Sequence, residues 1–248
     1  MNAPSPWPLL LSGRWLYRCD PQLGWTRQSL DGSAPALALD GFRLRRLRPL
    51  LQRWLAGRPM PPPLSALSLA HSAERRHALP DLSQANSKLP AAELPRRLQE
   101  IGTDRYGRWL RLEPTTAAAF RRMYIAASTD GIHFDIVSAF RSPGYQAGIW
   151  QRKLAVGKRS LQALGKVSAP PGRSEHHSGR ALDLASGPGP VLESSFARTD
   201  AYRWLRQHAG QFGFVESYPR DNTFGVIAEP WHWCHHPAVG AASKTGRT

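Results

Sequence analysis

The chain is poor in cysteine and in acidic residues, and it contains no long apolar run. Its 248 residues include only two cysteines, Cys19 and Cys234, which excludes the disulfide framework of a small secreted domain. No apolar stretch approaches the roughly 18 residues that a membrane-spanning helix needs. The N-terminus lacks the positive segment and the apolar core of a signal peptide. We therefore expect a cytoplasmic protein, with export to the cell envelope by a non-classical route as the alternative.

The shortage of acidic residues leaves a formal net charge of +15 at pH 7, from 33 lysines and arginines against 18 aspartates and glutamates. Such a balance favours anionic partners, among them nucleic acid, acidic lipid surfaces and anionic cell-wall polymer. No helix-turn-helix, RNP-like or zinc-finger spacing supports nucleic-acid recognition. We therefore expect no specific nucleic-acid partner and keep anionic cell-wall polymer as a candidate.

Residues 1–95 form a basic extension rich in proline, arginine and leucine, with no cluster of chemically active side chains. The stretch 13–32 predicts two short strands around a turn at Asp20-Pro21. Residues 42–55 have helical apolar spacing and an arginine-rich face, which predicts an amphipathic helix packed on the main domain or, alternatively, one that binds a membrane surface or polyanion. The segment from there to about residue 91 is predicted to be a linker, and the role of this extension stays open.

Residues 96–237 alternate between helical and strand patterns, which predicts an α+β domain with an antiparallel sheet. A helix is expected from Pro114 to just before Gly131, with a buried face made of Ala117, Phe120, Met123, Tyr124 and Ala127. Further helices are expected at 141–155 and 199–214, and strands at 132–140, 181–185, 213–219 and 223–233. The tail, residues 238–248, is predicted to be disordered.

The stretch "SEHHSGRALD" places His176 and Asp183 seven residues apart. A continuous strand would put them on opposite faces because seven is odd, but the bend at Ser178-Gly179 allows them to meet. Catalytic zinc usually takes three protein ligands and leaves a fourth position to water. A zinc site and an ordinary polar turn are both open on this spacing.

A second cluster, "AEPWHWCHH", places Glu229 three residues before His232. Pro230 suits the start of a helical turn, in which residues three apart lie side by side. Glu229 would then hold a metal-bound water while His232 binds the metal, so that the carboxylate can move the proton of that water. His177, His235 and His236 have no assigned partner and are expected at the surface.

Together these motifs resemble peptidase family M15B, the VanY-like zinc D-Ala-D-Ala carboxypeptidases. The family pattern S-x-H-x-x-G-x-A-x-D is matched by Ser174, His176, Gly179, Ala181 and Asp183. The pattern E-x-W-H-[WY] is matched by Glu229, Trp231, His232 and Trp233. The segment "SAFRSPGYQ" supplies the arginine and glutamine of a third motif, Arg141 and Gln146, and "FGFVESYP" resembles a fourth. The resemblance covers about residues 96–237.

The resemblance implies a compact α+β zinc-peptidase fold, shared with a domain of hedgehog proteins, and it implies a role for each motif residue. His176, Asp183 and His232 would bind Zn²⁺, Glu229 would be the general base, and Arg141 would stabilise the oxyanion. A weaker implication is that four further residues shape the peptide pocket, namely Gln146, Ser174, Tyr218 and Trp231.

The activity implied is removal of the terminal D-amino acid from peptidoglycan stem peptides or muropeptides. L,D-carboxypeptidase and peptidoglycan endopeptidase activity remain alternatives, since the same zinc, base and arginine act on any such amide. A third alternative is a cell-wall binding module that keeps zinc without catalysis. Glu229 argues against it, because a non-catalytic module needs no base beside its ligand.

Overall fold

A computed structural model describes residues 9–12, 15–20, 24–31, 37–38, 66–82, 85, 88–156 and 160–237. These ranges contain two antiparallel sheets and five α-helices, so the α+β prediction is confirmed. The helix predicted at 42–55 and the tail at 238–248 lie outside the described residues. No helix within the described ranges is long and apolar enough to cross a membrane.

The larger sheet has six strands in the order β4-β3-β2-β1-β5-β6. The strands are β1 (Leu9–Ser12), β2 (Trp15–Asp20), β3 (Gly24–Ser29), β4 (Leu37–Ala38), β5 (Arg97–Thr103) and β6 (Trp109–Leu112). Strands β2 and β3 are the two strands predicted around Asp20-Pro21. Because β1 pairs with β5, with Leu9 opposite Leu98, this sheet joins strands from both sides of the predicted boundary at residue 95.

The smaller sheet has the order β7-β8-β10-β9. Its strands are β7 (Asp135–Ser138), β8 (Ala181–Ala185), β9 (Phe214–Glu216) and β10 (His232–His235). The last strand begins later than predicted, since residues 223–231 form turns and irregular structure that ends at Pro230 and Trp231. In the register of β8 and β10, Asp183 lies directly opposite His232.

The five helices are α1 (Ala66–Arg76), α2 (Pro114–Thr129), α3 (Pro143–Val156), α4 (Leu161–Gly165) and α5 (Asp200–His208). Three short 3₁₀ turns are added at Glu175–Ser178, Ser194–Arg198 and Ala209–Phe212. The linker prediction for the stretch up to residue 91 is wrong, because α1 lies there. Its buried side chains recur with helical spacing at Ala66, Leu69, Ala70 and Ala73.

Helix α2 begins where the sequence predicts, and its apolar face anchors the main core. The Glu113 side chain caps it by accepting a hydrogen bond from the Thr116 amide, and Pro114 occupies the first turn, where its missing N–H costs nothing. Phe120 and Met123 pack with Leu182 and Leu184 of β8. Tyr124, predicted to be buried, is 39% exposed. This core supports β8 and therefore the position of Asp183.

Candidate metal centre

His176, Asp183 and His232 converge at one point, although the first and the last are 56 positions apart in the sequence. One ligand atom from each lies within 4.8 Å of the other two. Asp183 comes from β8, His232 from the neighbouring strand β10, and His176 from the 3₁₀ turn Glu175–Ser178. All three residues are at most 3% exposed.

The turn that carries His176 ends at Gly179, as the predicted bend requires. Gly179 has a φ of +69°, and a Cβ there would lie 3.0 Å from the Glu113 amide nitrogen and from the Leu98 side chain. A residue with a side chain would therefore be both strained and crowded at this position. Glycine lets the chain reverse between His176 and β8, so that His176 faces Asp183.

The hydrogen bonds of the two histidines show which ring nitrogen faces the centre. His176 Nδ1 donates to the Ala139 carbonyl at 2.7 Å, which leaves Nε2 3.2 Å from Asp183 Oδ2 and without a hydrogen bond to any described residue. His232 Nε2 lies 2.8 Å from Glu175 Oε2, and its Nδ1 lies 3.0 Å from Asp183 Oδ1. The candidate donor set is therefore His176 Nε2, an Asp183 oxygen and His232 Nδ1.

The electrostatics of the centre favour a cation. Burial, with Arg141 nearby, lowers the pKa of His176 to about 4, so this imidazole is neutral at pH 7, as a metal ligand must be. Burial would raise the pKa of Asp183, but His176 and Arg141 hold it well below its usual range. Burial opposes a charge on His232, yet its bonds to Asp183 and Glu175 raise its pKa to about 10. Positive charge is thus attracted to this point.

All nine side chains predicted for the site line one cleft of about 590 Å³, within the usual range for small-ligand sites. Besides the three candidate ligands these are Arg141, Gln146, Ser174, Tyr218, Glu229 and Trp231. The structure brings the residues together, and the role of each stays a prediction.

Arg141 lies between the candidate ligands and the rest of the cleft. Its Nη2 donates to Asp183 Oδ2 at 2.9 Å, and its Nη1 donates to Gln146 Oε1 at 3.4 Å. Gln146 is itself fixed, because its Nε2 donates to the Ala169 carbonyl at 2.7 Å. The guanidinium is therefore held at the edge of the centre.

Glu229 lies one turn of backbone before His232, as the spacing predicts. The His232 amide donates to the Glu229 carbonyl at 2.9 Å, which closes the turn through Pro230 and Trp231. Burial raises the pKa of Glu229 to about 7, with His232 opposing the shift and Asp183 adding to it. A carboxylate with this pKa can accept and release a proton near neutral pH.

Glu175 is a functional candidate that sequence reasoning missed. Its carboxylate accepts a hydrogen bond from His232 Nε2, on the opposite side of the ring from Nδ1. A carboxylate bonded in this way orients a ligating imidazole and raises its basicity. Glu175 occupies the unspecified position of the S-x-H pattern, so the motif gave no signal for it.

Two of the histidines expected at the surface are buried, so that expectation is wrong for both. His177 is 0% exposed: its Nδ1 donates to the Arg141 carbonyl at 2.6 Å, and its Nε2 accepts from the Gly172 amide. His235 is 5% exposed and its Nδ1 lies 2.9 Å from Thr116 Oγ1. His236 is exposed, as expected.

Comparison with known proteins places these residues in a recognised family. The sequence model "VanY: D-alanyl-D-alanine carboxypeptidase" matches residues 110–238. The D-alanyl-D-alanine carboxypeptidase of Enterococcus faecalis (strain ATCC 700802 / V583) is 35% identical over 132 residues, which are 49% of this chain and 47% of that protein. The putative carboxypeptidase YodJ of Bacillus subtilis (strain 168) is 32% identical over 129 residues, 50% of this chain and 45% of YodJ. The matches thus span about half the length of these relatives.

Among solved structures, a variant of the vancomycin resistance D,D-pentapeptidase VanY, from a VanB-type resistance cassette and in complex with Zn(II), is 29% identical. The match covers 59% of this chain and 82% of that one, with a TM-score of 0.47.

Proposed function

Because the chain belongs to the VanY family of D-alanyl-D-alanine carboxypeptidases, we propose that it removes the terminal D-amino acid from peptidoglycan stem peptides in a zinc-dependent reaction. One observation carries the proposal: His176, Asp183 and His232 converge in the cleft that also contains Glu229. A carboxylate base beside three metal ligands is an arrangement that can hydrolyse an amide.

The donor set fits zinc. It offers two imidazole nitrogens and a carboxylate oxygen, a combination found in catalytic zinc sites, which keep a further position open. His176 Nε2 is buried without a hydrogen bond to any described residue, so a metal ion would give this nitrogen a partner. When bound, zinc polarises a carbonyl and lowers the pKa of water.

Glu229 would transfer the proton of the attacking water, and Arg141 would stabilise the negative charge that develops during hydrolysis. Glu229 takes a proton from the attacking water and returns it to the leaving amine, a task that suits a pKa of about 7. Arg141 stabilises the negative charge that develops on the carbonyl oxygen, and its bond to Asp183 holds the guanidinium at the site. The pair accounts for hydrolysis of an amide without specifying which amide.

The walls of the cleft would select the substrate. Gln146 and Ser174 are polar and nearly inaccessible, at 1% and 3% exposed, while Tyr218 and Trp231 add aromatic surface. A stem peptide presents both amide groups and alanine methyl groups to such a surface. We propose that these four residues shape the pocket for the peptide terminus.

The experiment is mass spectrometry of stem pentapeptide and tetrapeptide muropeptides incubated with zinc-loaded protein. Loss of one alanine from the pentapeptide is expected for the wild type. Glu229→Gln should lower the rate by roughly 10²–10⁴-fold, since the base is removed while the shape is kept, and should still bind one zinc ion in the cleft. Loss of the zinc in this variant would contradict the role of Glu229.

The same experiment separates the alternatives. Shortening of the tetrapeptide alone would identify an L,D-carboxypeptidase, and cleavage confined to cross-linked wall would identify an endopeptidase. Cross-linked wall is therefore added as a third substrate. Zinc bound to a protein that leaves the pentapeptide, the tetrapeptide and the cross-linked wall intact would overturn the enzymatic proposal in favour of a binding module.

A further inference from the structure

A second group of ligand-type side chains lies next to His232, outside the set assigned to the candidate metal centre. It consists of Glu175, Cys234 and His236, and one ligand atom from each lies within 4.8 Å of the other two. We propose that this group is a second metal site, which takes a zinc-like divalent ion through sulfur, nitrogen and oxygen.

Strand geometry explains why these residues meet. Side chains two apart on a strand lie on the same face, so His232 and Cys234 of β10 share a face, and His236 follows directly after the strand. Glu175, from the preceding 3₁₀ turn, packs against this face with its Oε2 2.8 Å from His232 Nε2. Glu175 therefore contacts a candidate ligand of the first site and belongs to the second group as well.

The second group opens to a cleft of its own. This cleft measures about 680 Å³ and includes Glu175, Cys234 and His236 in its lining. Cys234 is 4% exposed and His236 is exposed, so the group offers one sheltered ligand and one that is reached from solvent. An ion can enter without passing through the catalytic cleft.

The donor types select the class of metal ion. Thiolate sulfur and imidazole nitrogen suit Zn²⁺ and its substitutes Co²⁺ and Cd²⁺, whereas Mg²⁺ and Ca²⁺ prefer sets made of oxygen alone. The Cys234 thiol releases its proton to solvent when the ion binds, and the resulting thiolate together with one carboxylate balances a charge of +2. Four arginines line the same cleft and oppose a cation, namely Arg96, Arg97, Arg173 and Arg180. We therefore expect the second ion to bind more weakly than the first.

The shared residue couples the two sites. An ion held by Glu175 draws the charge of that carboxylate away from His232 Nε2. This weakens the hydrogen bond that orients the His232 imidazole. Hydrolysis should consequently slow as the second site fills. This consequence rests on the proposed function, whereas the existence of the site does not.

Cobalt titration of the full, metal-free chain tests the site directly. The first equivalent should give visible absorption without a thiolate-to-cobalt charge-transfer band, because the first donor set contains no sulfur. A second, weaker equivalent should add that band in the near ultraviolet. Cys234→Ser should abolish the band while keeping the first-site spectrum, which also shows that the variant is folded. Cys19→Ser, at the only other cysteine of the sequence, should keep both the first-site spectrum and the charge-transfer band.

Two results would overturn the site: a wild-type titration that ends at one ion without the band, or a band that survives in Cys234→Ser. The coupling is measured separately, as hydrolysis of stem pentapeptide at rising Zn²⁺. The wild-type rate should fall once zinc exceeds one equivalent, and the Cys234→Ser rate should not; equal slowing in both would refute the coupling. A chain that hydrolyses nothing refutes the proposed function, and the cobalt spectrum still decides the second site.

Discussion

Each of the three candidate ligands has a second contact that fixes which of its atoms faces the cleft. His176 is oriented by the Ala139 carbonyl, His232 by Glu175, and Asp183 by Arg141. Such contacts set the tautomer and the ring angle of a ligating histidine and thereby its affinity for metal. The geometry of the centre therefore depends on residues that would not themselves touch the metal ion.

Glu175→Gln tests this dependence. The amide keeps the shape of the side chain but removes the negative charge beside His232 Nε2, so the affinity of the first site for zinc should fall by roughly 10–100-fold. Competition with a chelator of known affinity measures the change. Glu193→Gln is the matched control, because Glu193 lines the same cleft and is not among the residues that contact the three ligands. Equal affinity in the wild type and Glu175→Gln would refute the role given to this carboxylate.

Some properties of single residues in the candidate site could be predicted from the sequence, and others could not. The spacing left a zinc site and a polar turn open, whereas the resemblance to family M15B implies one site made of His176, Asp183 and His232, and the structure brings these three together. The burial of His177 and His235 could not be predicted in this way. It depends on the Arg141 carbonyl and on Thr116, which come from distant parts of the chain, and on the Gly172 amide near His177.

The pairing of β8 with β10 brings two of the candidate ligands, Asp183 and His232, together. Asp183 faces His232 across the ladder, and a shift of one residue in register would turn one of them to the other face of the sheet. The apolar residues Leu182 and Leu184 are 0% exposed and hold β8 in register from its other face. The core and the candidate site are thus fixed by the same strand.

Helix α3, which carries Gln146, packs closely against the backbone of Leu30 and Asp31. The Gly144 amide donates to the Leu30 carbonyl, and a Cβ on Gly144 would lie 2.1 Å from the Asp31 carbonyl carbon. Gly144→Ala should therefore destabilise the protein by about 1–3 kcal/mol. Chemical denaturation measures the change in the free energy of unfolding.

Gly148→Ala provides the control on the same helix. A Cβ on Gly148 would have its nearest neighbour at 3.5 Å, an ordinary contact, so alanine should be neutral or stabilising by up to about 1 kcal/mol through helix propensity. Equal stability of the two variants would show that the close approach at Gly144 does not restrict the residue there.

Strand β10 also carries a buried histidine that should make stability depend on pH. Burial lowers the pKa of His235 from 6.5 to about 4, so between these values the unfolded chain binds a proton that the folded chain does not. The free energy of unfolding should therefore fall as the pH drops from 6.5 towards 4. Chemical denaturation of the metal-free protein across this pH range measures the change in the free energy of unfolding.

His235→Gln should make this dependence less steep, since glutamine does not titrate, while the contribution of His176 remains. His133→Gln, at an exposed histidine, should retain the wild-type dependence. If the His235→Gln protein loses stability with falling pH as steeply as the wild type, the burial of His235 does not contribute to the dependence.

The elements were predictable where their local signals were strong. Proline, the helical apolar spacing and a terminal glycine predict α2 to within two residues of its observed end. Helix α1 was missed because the prolines at 59–63 suggested a linker, although Ala66, Leu69, Ala70 and Ala73 carry the spacing of a buried helical face. The late start of β10 follows from the turn through Pro230, which local alternation does not reveal.

The part of the chain before residue 95 contributes to the same architecture as the candidate site. Strand β1 extends the sheet of β5 and β6, and α1 packs against α3. The family match begins at residue 110 and so leaves these contributions out. Helix α3 presents Gln146 to the cleft, so α1 contacts the helix that forms part of the cleft wall.

The proposed function requires that the chain hydrolyse a stem peptide only with a metal ion bound at His176, Asp183 and His232. The most direct measurement is the rate of alanine release from stem pentapeptide by metal-free protein, followed by addition of one equivalent of zinc. No release should occur before the addition, and the first equivalent should restore the full rate. Release at an unchanged rate by the metal-free protein would contradict this requirement.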